Sequence, residues 1–158
     1  MLPKKKLKFL IFGAGAIGCH IGYCAHLMGN DVSLVARGKH LDAMRKNGLR
    51  LSLYDNDIKQ KEETVFESPS FRFFENVEAI QDKEFDYLFC SQKLTDYNAN
   101  TLETLLPFMG DSTAVVPPCT NLPFWWFYNL PSSQKGRFND IEFMPEISKF
   151  FTRENIIG

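Results

Sequence analysis

The sequence predicts an α/β protein whose core is a doubly wound, mainly parallel sheet. Short apolar segments of strand length alternate with segments of helical length along most of the chain. The first apolar segment, Phe9 to Phe12, leads directly into a glycine cluster, and a segment of helical length follows. Strand, tight turn and helix in this order form the unit that builds parallel sheets. Residues 49–54 and 57–66 flank a turn at Asp55-Asn56 and instead predict a hairpin inserted at the edge of the sheet.

Composition and charge argue against several classes of partner. The chain has 158 residues, of which 44% are hydrophobic and 23% charged, as is typical of one globular domain. Its formal net charge of -1 provides no overall field for nucleic acid or an anionic membrane. No apolar segment is long enough to span a bilayer, and the early one is too short for a secretory signal. We therefore expect a cytoplasmic protein with no nucleic-acid or membrane partner.

The cysteines give no sign of a disulfide framework or a metal site. Cys19, Cys24, Cys90 and Cys119 form no Cys-x-x-Cys pair, and no histidine cluster accompanies them. We expect reduced thiols that lie in the core or line a site.

The glycine cluster carries the first functional prediction. Gly13, Gly15 and Gly18 form a G-x-G-x-x-G pattern between the predicted strand and the predicted helix. The first glycine allows a sharp turn, the second leaves room for a pyrophosphate, and the third lets the helix pack closely on the strand. The N–H groups at the helix start, where Ala16 and Ile17 lie, then face the phosphates. The pattern predicts a Rossmann-type dinucleotide-binding turn; the alternative is a glycine-rich turn without a ligand.

The first helix is expected over residues 16–28, and Gly29-Asn30 ends it. Four apolar residues recur at helical spacing and predict its buried face: Ile17, Ile21, Cys24 and Leu27. His20 and His26 lie off this stripe, and we expect both to be solvated at the surface.

The end of the second predicted strand, residues 31–36, indicates which dinucleotide binds. In NAD-binding folds an acidic residue about 20 positions after the glycines bonds the ribose 2′-hydroxyl. This chain has Arg37 there, with Lys39 close behind, and no acid. An arginine can bind a 2′-phosphate with charge-assisted, bidentate hydrogen bonds, whereas a carboxylate would repel it. The sequence therefore favours NADPH over NADH, unless Arg37 pairs with surface acids instead.

The remaining elements continue the alternation. Residues 39–46 predict a short helix with Leu41 and Met44 inward and Gly48 at its end. Further strands are expected over residues 71–74, 85–91 and 112–116, and another helix over residues 95–108.

Two polar residues follow the later strands. Lys93 comes directly after residues 85–91, and Asn121 comes after residues 112–116. Ligands of open α/β sheets bind outside the carboxyl ends of the strands. We therefore expect Gly13 to Gly18, Arg37, Lys93 and Asn121 to converge on one crevice.

The last part of the chain is rich in aromatic residues. Residues 124–128 are consecutive aromatics, and we expect Phe143, Phe150 and Phe151 to add apolar surface after a polar loop. We expect a dinucleotide-binding domain over residues 1–130 and an aromatic-rich tail over residues 131–158.

This aromatic block, residues 124–128, also suggests an assembly. No single helix or strand face can bury five consecutive side chains. We therefore expect a homodimer with Trp125 or Trp126 buried in its interface. The alternative is that the block folds back over the domain's own sheet.

In these residues the chain resembles the amino-terminal half of proteins of the ketopantoate reductase (2-dehydropantoate 2-reductase) family. The resemblance rests on the motif Gly13 to Gly18, the strand that ends in Arg37, Lys93 after the fourth strand and Asn121 after the fifth. It covers residues 6–128 and, more loosely, the rest of the chain. The glycine motif alone is common to many dehydrogenases, whereas the combination is more specific.

The resemblance implies an NADPH-dependent reduction of a 2-keto acid to a 2-hydroxy acid, as from ketopantoate to pantoate in pantothenate biosynthesis. It also implies that Lys93 and Asn121 touch the nicotinamide end of the cofactor and the substrate. The family's Asn-Gly is Asn121-Leu122 here, which argues against a close backbone approach at that point. The family's catalytic lysine and substrate-holding acid lie in a carboxyl-terminal helical domain. We expect this domain to be absent from the chain, and the chain alone to be inactive.

Two other functions stay open at this point. One is a free-standing NADP(H)-binding module without catalysis. The other is an interaction protein that assembles through residues 124–128. A reading frame that continues past Gly158 would favour the reductase over the module.

Overall fold

The computed structural model describes residues 5–93, 96–118, 150 and 156–157. The elements follow one another as β1 (Lys8–Phe12), α1 (Ala16–Leu27), β2 (Asp31–Val35), α2 (Gly38–Asn47), β3 (Leu49–Asp55), β4 (Ile58–Val65), β5 (Phe71–Phe74), β6 (Tyr87–Cys90), α3 (Ala99–Glu103), a 3-10 helix (Leu106–Phe108) and β7 (Ala114–Val116). None of the helices in these stretches is long and apolar enough to cross a membrane.

The main sheet is parallel and has five strands in the order β5-β2-β1-β6-β7. β1 lies at its centre, with Phe9 in register with Val32 on one side and with Tyr87 on the other. The chain builds outward from β1 through β2 to β5, and then crosses to β6. The switch in direction therefore lies between β1 and β6, where open α/β sheets bind their ligands. The predicted doubly wound, mainly parallel fold is confirmed.

Both faces of the central strand are buried, as expected for a parallel sheet covered on both sides. Leu10 and Ile11 are fully buried, and they belong to two different core clusters because neighbouring residues of a strand point to opposite faces. One cluster includes Leu88 and Phe108, and the other includes Leu34. The largely apolar character of β1, β2 and β6 follows from this double coverage.

The buried face predicted for α1 is only partly correct, because Ile21 and Cys24 are half-buried against a core cluster whereas Ile17 and Leu27 are not. Ile17 and Leu27 are 49% and 65% exposed. The buried residues are mostly small: Gly18, Cys19, Gly22, Tyr23 and Ala25. The helix lies so close to the sheet that a Cβ at position 22 would stand 3.1 Å from Cδ1 of Ile11. Close packing of the backbone therefore favours small residues, and Ile17 and Leu27 are turned outward.

The two histidines of α1 differ. His20 is exposed, as expected. His26 is only partly exposed; its ring centroid lies 5.0 Å from that of Phe71, and its Nδ1 is buried. The prediction of a solvated surface histidine is therefore wrong for His26, because the end of α1 packs over β5.

The hairpin is confirmed, but it stands as a separate sheet. β3 and β4 pair with each other in antiparallel register and form their own two-stranded sheet. Leu49 and Leu51 are buried against the face that carries α1 and α2. The hairpin therefore does not extend the main sheet, whose edge strand next to β2 is β5.

The helix expected over residues 95–108 is much shorter in the structure. α3 begins after Asn98, whose side chain accepts a hydrogen bond from the N–H of Thr101. It ends at Glu103, and a 3-10 helix that contains Pro107 follows. Proline has no N–H to continue an α-helical hydrogen-bond series, so the apolar spacing of this segment continues in a different helix type.

The end of the chain returns to the main sheet. Ile156 forms a parallel bridge with Val115, and the N–H of Ile157 donates to the carbonyl of Val115 at 2.9 Å. Phe150 is buried in the core cluster that contains Phe108. It therefore adds no apolar surface, contrary to the expectation. Residues 124–128, Phe143 and Phe151 lie outside the described residues, and the homodimer and the boundary at residue 130 stay predictions.

Candidate functional site

The turn after β1 needs two of its glycines for its own packing. Gly13 has a φ of +113°, and a Cβ there would lie 2.7 Å from the backbone nitrogen of Gln92. A Cβ at Gly18 would overlap the carbonyl oxygen of Gly13. The fold itself therefore demands glycine at both positions.

Gly15 is different, because nothing in the fold requires it. Its φ of -75° and ψ of -177° are open to any residue, and a Cβ there would meet no atom within 4 Å. The residue is exposed and stands at the N-cap of α1. The first turn of this helix has no side-chain cap and no acidic residue. Its N–H groups, which lack partners within the helix, are therefore available to an anion.

A cavity of about 470 Å³ opens beside this turn, at the carboxyl ends of the strands. We call it the carboxyl-edge cavity. It brings together Gly13, Gly15, Arg37 and Lys93, four of the residues that the sequence singled out. Arg37 and Lys93 are exposed, and neither forms an ion pair with another described residue. The site thus offers two available cations next to a helix start.

The other predicted cofactor residues lie around this cavity rather than in its wall. Gly18 is buried beneath the turn. Ala16 lines a smaller neighbouring cavity of about 300 Å³, between the turn and β3. The side chains of Ile17 and Lys39 are exposed and line neither cavity. Asn121 lies outside the described residues.

The two residues before Lys93 were not assigned to the site from the sequence. Ser91 and Gln92 also line the cavity. The Ser91 hydroxyl donates to the carbonyl of Gly13 at 2.7 Å and so ties the end of β6 to the turn. The rule that selected Lys93, namely that residues after a parallel strand face the ligand, applied equally to these two.

His40, in the first turn of α2, was missed as well. Its Nε2 lies 2.9 Å from the carbonyl oxygen of Ala14, so this nitrogen is the donor. The contact links α2 to the glycine turn, and His40 lines both cavities. A contact between residues this far apart in the chain left no trace in the sequence pattern.

Acidic residues also reach the carboxyl-edge cavity. Glu75 and Glu78 line it because they follow β5, which pairs in parallel with β2. The register places Phe74 beside Val35, so the segments that contain Glu75 and Arg37 leave the sheet side by side. Nothing in the sequence revealed that β5 is the neighbour of β2.

The buried thiols are unsuited to nucleophilic chemistry. Burial raises the pKa of Cys19 to about 11 and that of Cys90 to about 12, so both are protonated at neutral pH. The Cys19 thiol donates to the carbonyl of Ala14 at 3.3 Å. Within the described residues, no group of three or more His, Cys, Asp or Glu side chains could hold a metal ion. The groups left available at the site are the N–H groups of the first turn of α1 and the cations Arg37 and Lys93.

A family model and a curated relative each match most of the chain. The family model described as "Ketopantoate reductase PanE/ApbA" matches residues 9–118. A 2-dehydropantoate 2-reductase of Mesorhizobium japonicum is 33% identical over 138 residues, which are 86% of this chain and 39% of that protein.

Solved structures share the fold. A ketopantoate reductase structure from Ralstonia solanacearum superposes with a TM-score of 0.70 at 24% identity, over 96% of this chain and 44% of that one. A D-mandelate dehydrogenase in complex with NADH and anilino(oxo)acetate gives a TM-score of 0.66 at 20% identity, over 95% of this chain and 39% of that one. The chain spans less than half the length of each of these proteins. The matching family model and the Mesorhizobium relative together show that the chain belongs to the ketopantoate reductase family of oxidoreductases.

Proposed function

We propose that the carboxyl-edge cavity binds NADPH, and that the chain is the cofactor-binding part of an NADPH-dependent 2-keto acid reductase. The observation that carries this proposal is the open space above Gly15. The fold does not need a glycine there, whereas a pyrophosphate that approaches the start of α1 does, because any side chain would occupy the same space.

The charges around the cavity support a phosphate ligand. The first turn of α1 supplies unpaired N–H groups and the positive end of the helix dipole. Arg37 and Lys93 line the same cavity from the ends of β2 and β6, on either side of the turn. An extended dinucleotide with its pyrophosphate at the turn would therefore meet one cation at each end.

The choice between NADPH and NADH depends on opposing groups. Arg37 favours a 2′-phosphate, whereas Glu75 and Glu78 line the same cavity and oppose it. The D-mandelate dehydrogenase of similar fold was solved with NADH, so the fold alone does not decide the cofactor. We propose that Arg37 prevails, because a guanidinium can form bidentate, charge-assisted bonds to the phosphate.

The remaining steps of the reaction are part of the same proposal. The bound cofactor would supply a hydride to the carbonyl carbon of a 2-keto acid. Lys93 and Asn121 would contact the substrate or the nicotinamide. We expect the chain by itself not to reduce ketopantoate, since the relative it matches is more than twice as long. A cytoplasmic homodimer assembled through residues 124–128 completes the proposal.

The test is the effect of Arg37→Ala on the binding of the two cofactors by calorimetry. Loss of a charge-assisted, bidentate contact removes about 1.5–3 kcal/mol, so NADPH binding should weaken roughly 10-fold or more. NADH binding should change little, because NADH lacks the 2′-phosphate.

Lys46→Ala is the matched control. Lys46 is an exposed cation of α2, the helix that begins directly after Arg37, and it lines neither cavity. Its loss should leave the affinities for NADPH and NADH nearly unchanged. Equal losses of NADPH and NADH affinity in Arg37→Ala would refute the assignment of Arg37 to the 2′-phosphate.

A further inference from the structure

The smaller cavity, of about 300 Å³, runs along one edge of β3. Five consecutive residues of this strand, Leu49 to Leu53, line it, whereas none of the described residues of β4 does. Successive side chains of a strand point to opposite faces, so a cavity lined by consecutive residues follows the edge of the strand. The glycine turn and the start of α1 form the opposite wall. We call this cavity the β3 groove.

The edge of β3 at this groove has backbone groups that no other strand uses. β3 pairs with β4 alone, because the hairpin is a two-stranded sheet of its own. No backbone hydrogen bond joins residues 49–55 to any other described part of the chain. In a paired strand, every second residue directs its N–H and C=O groups away from the partner strand. The edge therefore presents a row of N–H and C=O groups to which a further strand can bond.

The two outer edges of the hairpin differ in charge. Natural proteins protect exposed strand edges against further pairing by placing charged residues there. In β4, four of the five residues 59–63 are charged. In β3, residues 49–53 contain a single charged residue, Arg50, between the buried Leu49 and Leu51. The edge of β4 is therefore protected against pairing, whereas the edge of β3 is open to it.

The charge of the groove indicates which kind of strand fits it. Arg50 lines the groove and is exposed, and it forms no ion pair with another described residue. His20 and His40 also line the groove, and none of its described lining residues is an Asp or a Glu. A strand with carboxylate side chains would give Arg50 a partner, whereas a strand with basic side chains would be repelled.

We propose that the β3 groove binds an extended, acidic peptide segment of a partner protein, which adds a third strand to the hairpin. Main-chain hydrogen bonds to β3 supply the affinity, and Arg50 selects acidic side chains. Residues 49–53 span about 17 Å, so the matching segment has about five residues. The proposal does not depend on NADPH binding, because it uses neither Arg37 nor Lys93.

The test is a calorimetric titration with two capped pentapeptides, Val-Glu-Val-Glu-Val and Val-Lys-Val-Lys-Val. The wild-type chain should bind the acidic peptide about 5-fold or more tightly than the basic one. Arg50→Glu should reverse this preference, because it reverses the charge of the groove. Its melting temperature should stay near that of the wild type, since the side chain is exposed.

Lys46→Glu is the matched control, because it changes the net charge by the same amount. Lys46 is an exposed cation of α2 and lines no described cavity. This variant should keep the preference of the wild type. If both variants change the preference equally, only net charge matters and the role of Arg50 in the groove is refuted.

Amide hydrogen exchange followed by NMR tests how the peptide binds. In the free chain, every second amide of β3 should exchange quickly, because it faces the groove. The acidic peptide should slow the exchange of these amides and leave the outward amides of β4 unchanged. If the β3 amides keep their fast exchange with the peptide bound, no strand is added and the proposal is overturned.

The remaining outcomes identify other occupants. N-acetylglutamate amide that binds as tightly as the acidic pentapeptide would show a site for small anions and would overturn the proposal. Failure of the wild-type chain to bind either pentapeptide would also overturn it. If the chain then sediments as a dimer that Arg50→Glu separates, the edge of β3 pairs with a second copy of the chain instead.

Discussion

The two ends of the parallel sheet differ in whether their charged residues form ion pairs. At the end where β1 begins, which we call the amino edge, Lys5 pairs with Asp86, Lys6 with Asp31 and Lys8 with Asp82, each at 2.7 Å. At the carboxyl end, Arg37 and Lys93 have no ion-pair partner among the described residues. Charges that are paired within the chain help to join the strands, whereas charges left unpaired beside a cavity are available to a ligand.

Asp86 joins several strands at the amino edge. Its carboxylate accepts from Lys5 and from the backbone N–H of Lys8 at 2.9 Å. Its backbone N–H donates to Lys8, and its carbonyl accepts from Ala114. One residue therefore ties together the starts of β1, β6 and β7. The hydrogen bond from Lys5 lowers the pKa of Asp86, and that from Lys8 lowers the pKa of Asp82.

The largest effect is expected from Gly15→Val at the carboxyl edge. The valine side chain would fill the space that we assign to the pyrophosphate, so NADPH binding should become undetectable by calorimetry. The melting temperature should change little, because no atom of the fold lies near a Cβ at this position.

Gly18→Val is the contrasting variant, since a Cβ there collides with the carbonyl of Gly13. It should lower the melting temperature strongly, as overpacking against the backbone does. If Gly15→Val keeps its NADPH affinity, the phosphates bind elsewhere. The unpaired cations at the carboxyl edge would then not mark the cofactor site.

An intermediate effect is expected from acid at the amino edge. The folded-state pKa values of Asp82 and Asp86 lie below the ordinary 3.8, so their pairs stabilise the fold above about pH 4. This stability is lost as the pH falls through the lower, folded-state values. The double variant Asp82→Asn, Asp86→Asn should be less stable than the wild type at pH 7 by about 1–2 kcal/mol.

Urea unfolding at several pH values measures this difference. Between pH 6 and pH 2 the wild type should lose more stability than the double variant, so the two curves should converge in acid. Parallel curves would mean that these two carboxylates do not stabilise the amino edge. The NADPH affinity of the variant at pH 7 should equal that of the wild type.

The smallest effect is expected from Lys5→Ala. The Lys5 side chain is 77% exposed, and exposed ion pairs contribute at most about 1 kcal/mol. Urea unfolding should show a small loss of stability that disappears in high salt, with NADPH binding unchanged. A marked loss of NADPH affinity would show that the two ends of the sheet are not independent.

Local pattern was sufficient for much of the fold and part of the site. The strands β1, β2 and β6 were predicted because a parallel strand buried on both faces is mostly apolar along its length. The glycine turn was predicted because the spacing of its glycines lies within one strand, one turn and one helix, although the clash that excludes a Cβ at Gly13 is with Gln92 of a distant segment. Arg37 was placed correctly at the cavity because it directly follows a strand.

Tertiary packing decided what local pattern could not. The buried face of α1 consists mostly of small residues, because the close approach of the helix at Gly18 and Gly22, rather than apolar spacing, selects them. Glu75 reaches the cavity only because β5 pairs with β2, a choice between strands that depends on the whole sheet.

The sequence by itself determined the class of fold, the glycine turn and the cation at the end of β2, since each follows from residues that are close in the chain. The packed structure decided which strands are neighbours, that Phe150 enters the core, and that the amide of Gln92 is buried without a partner among the described residues. Burial and pairing are properties of groups brought together from distant segments, so they exist only once the chain has folded.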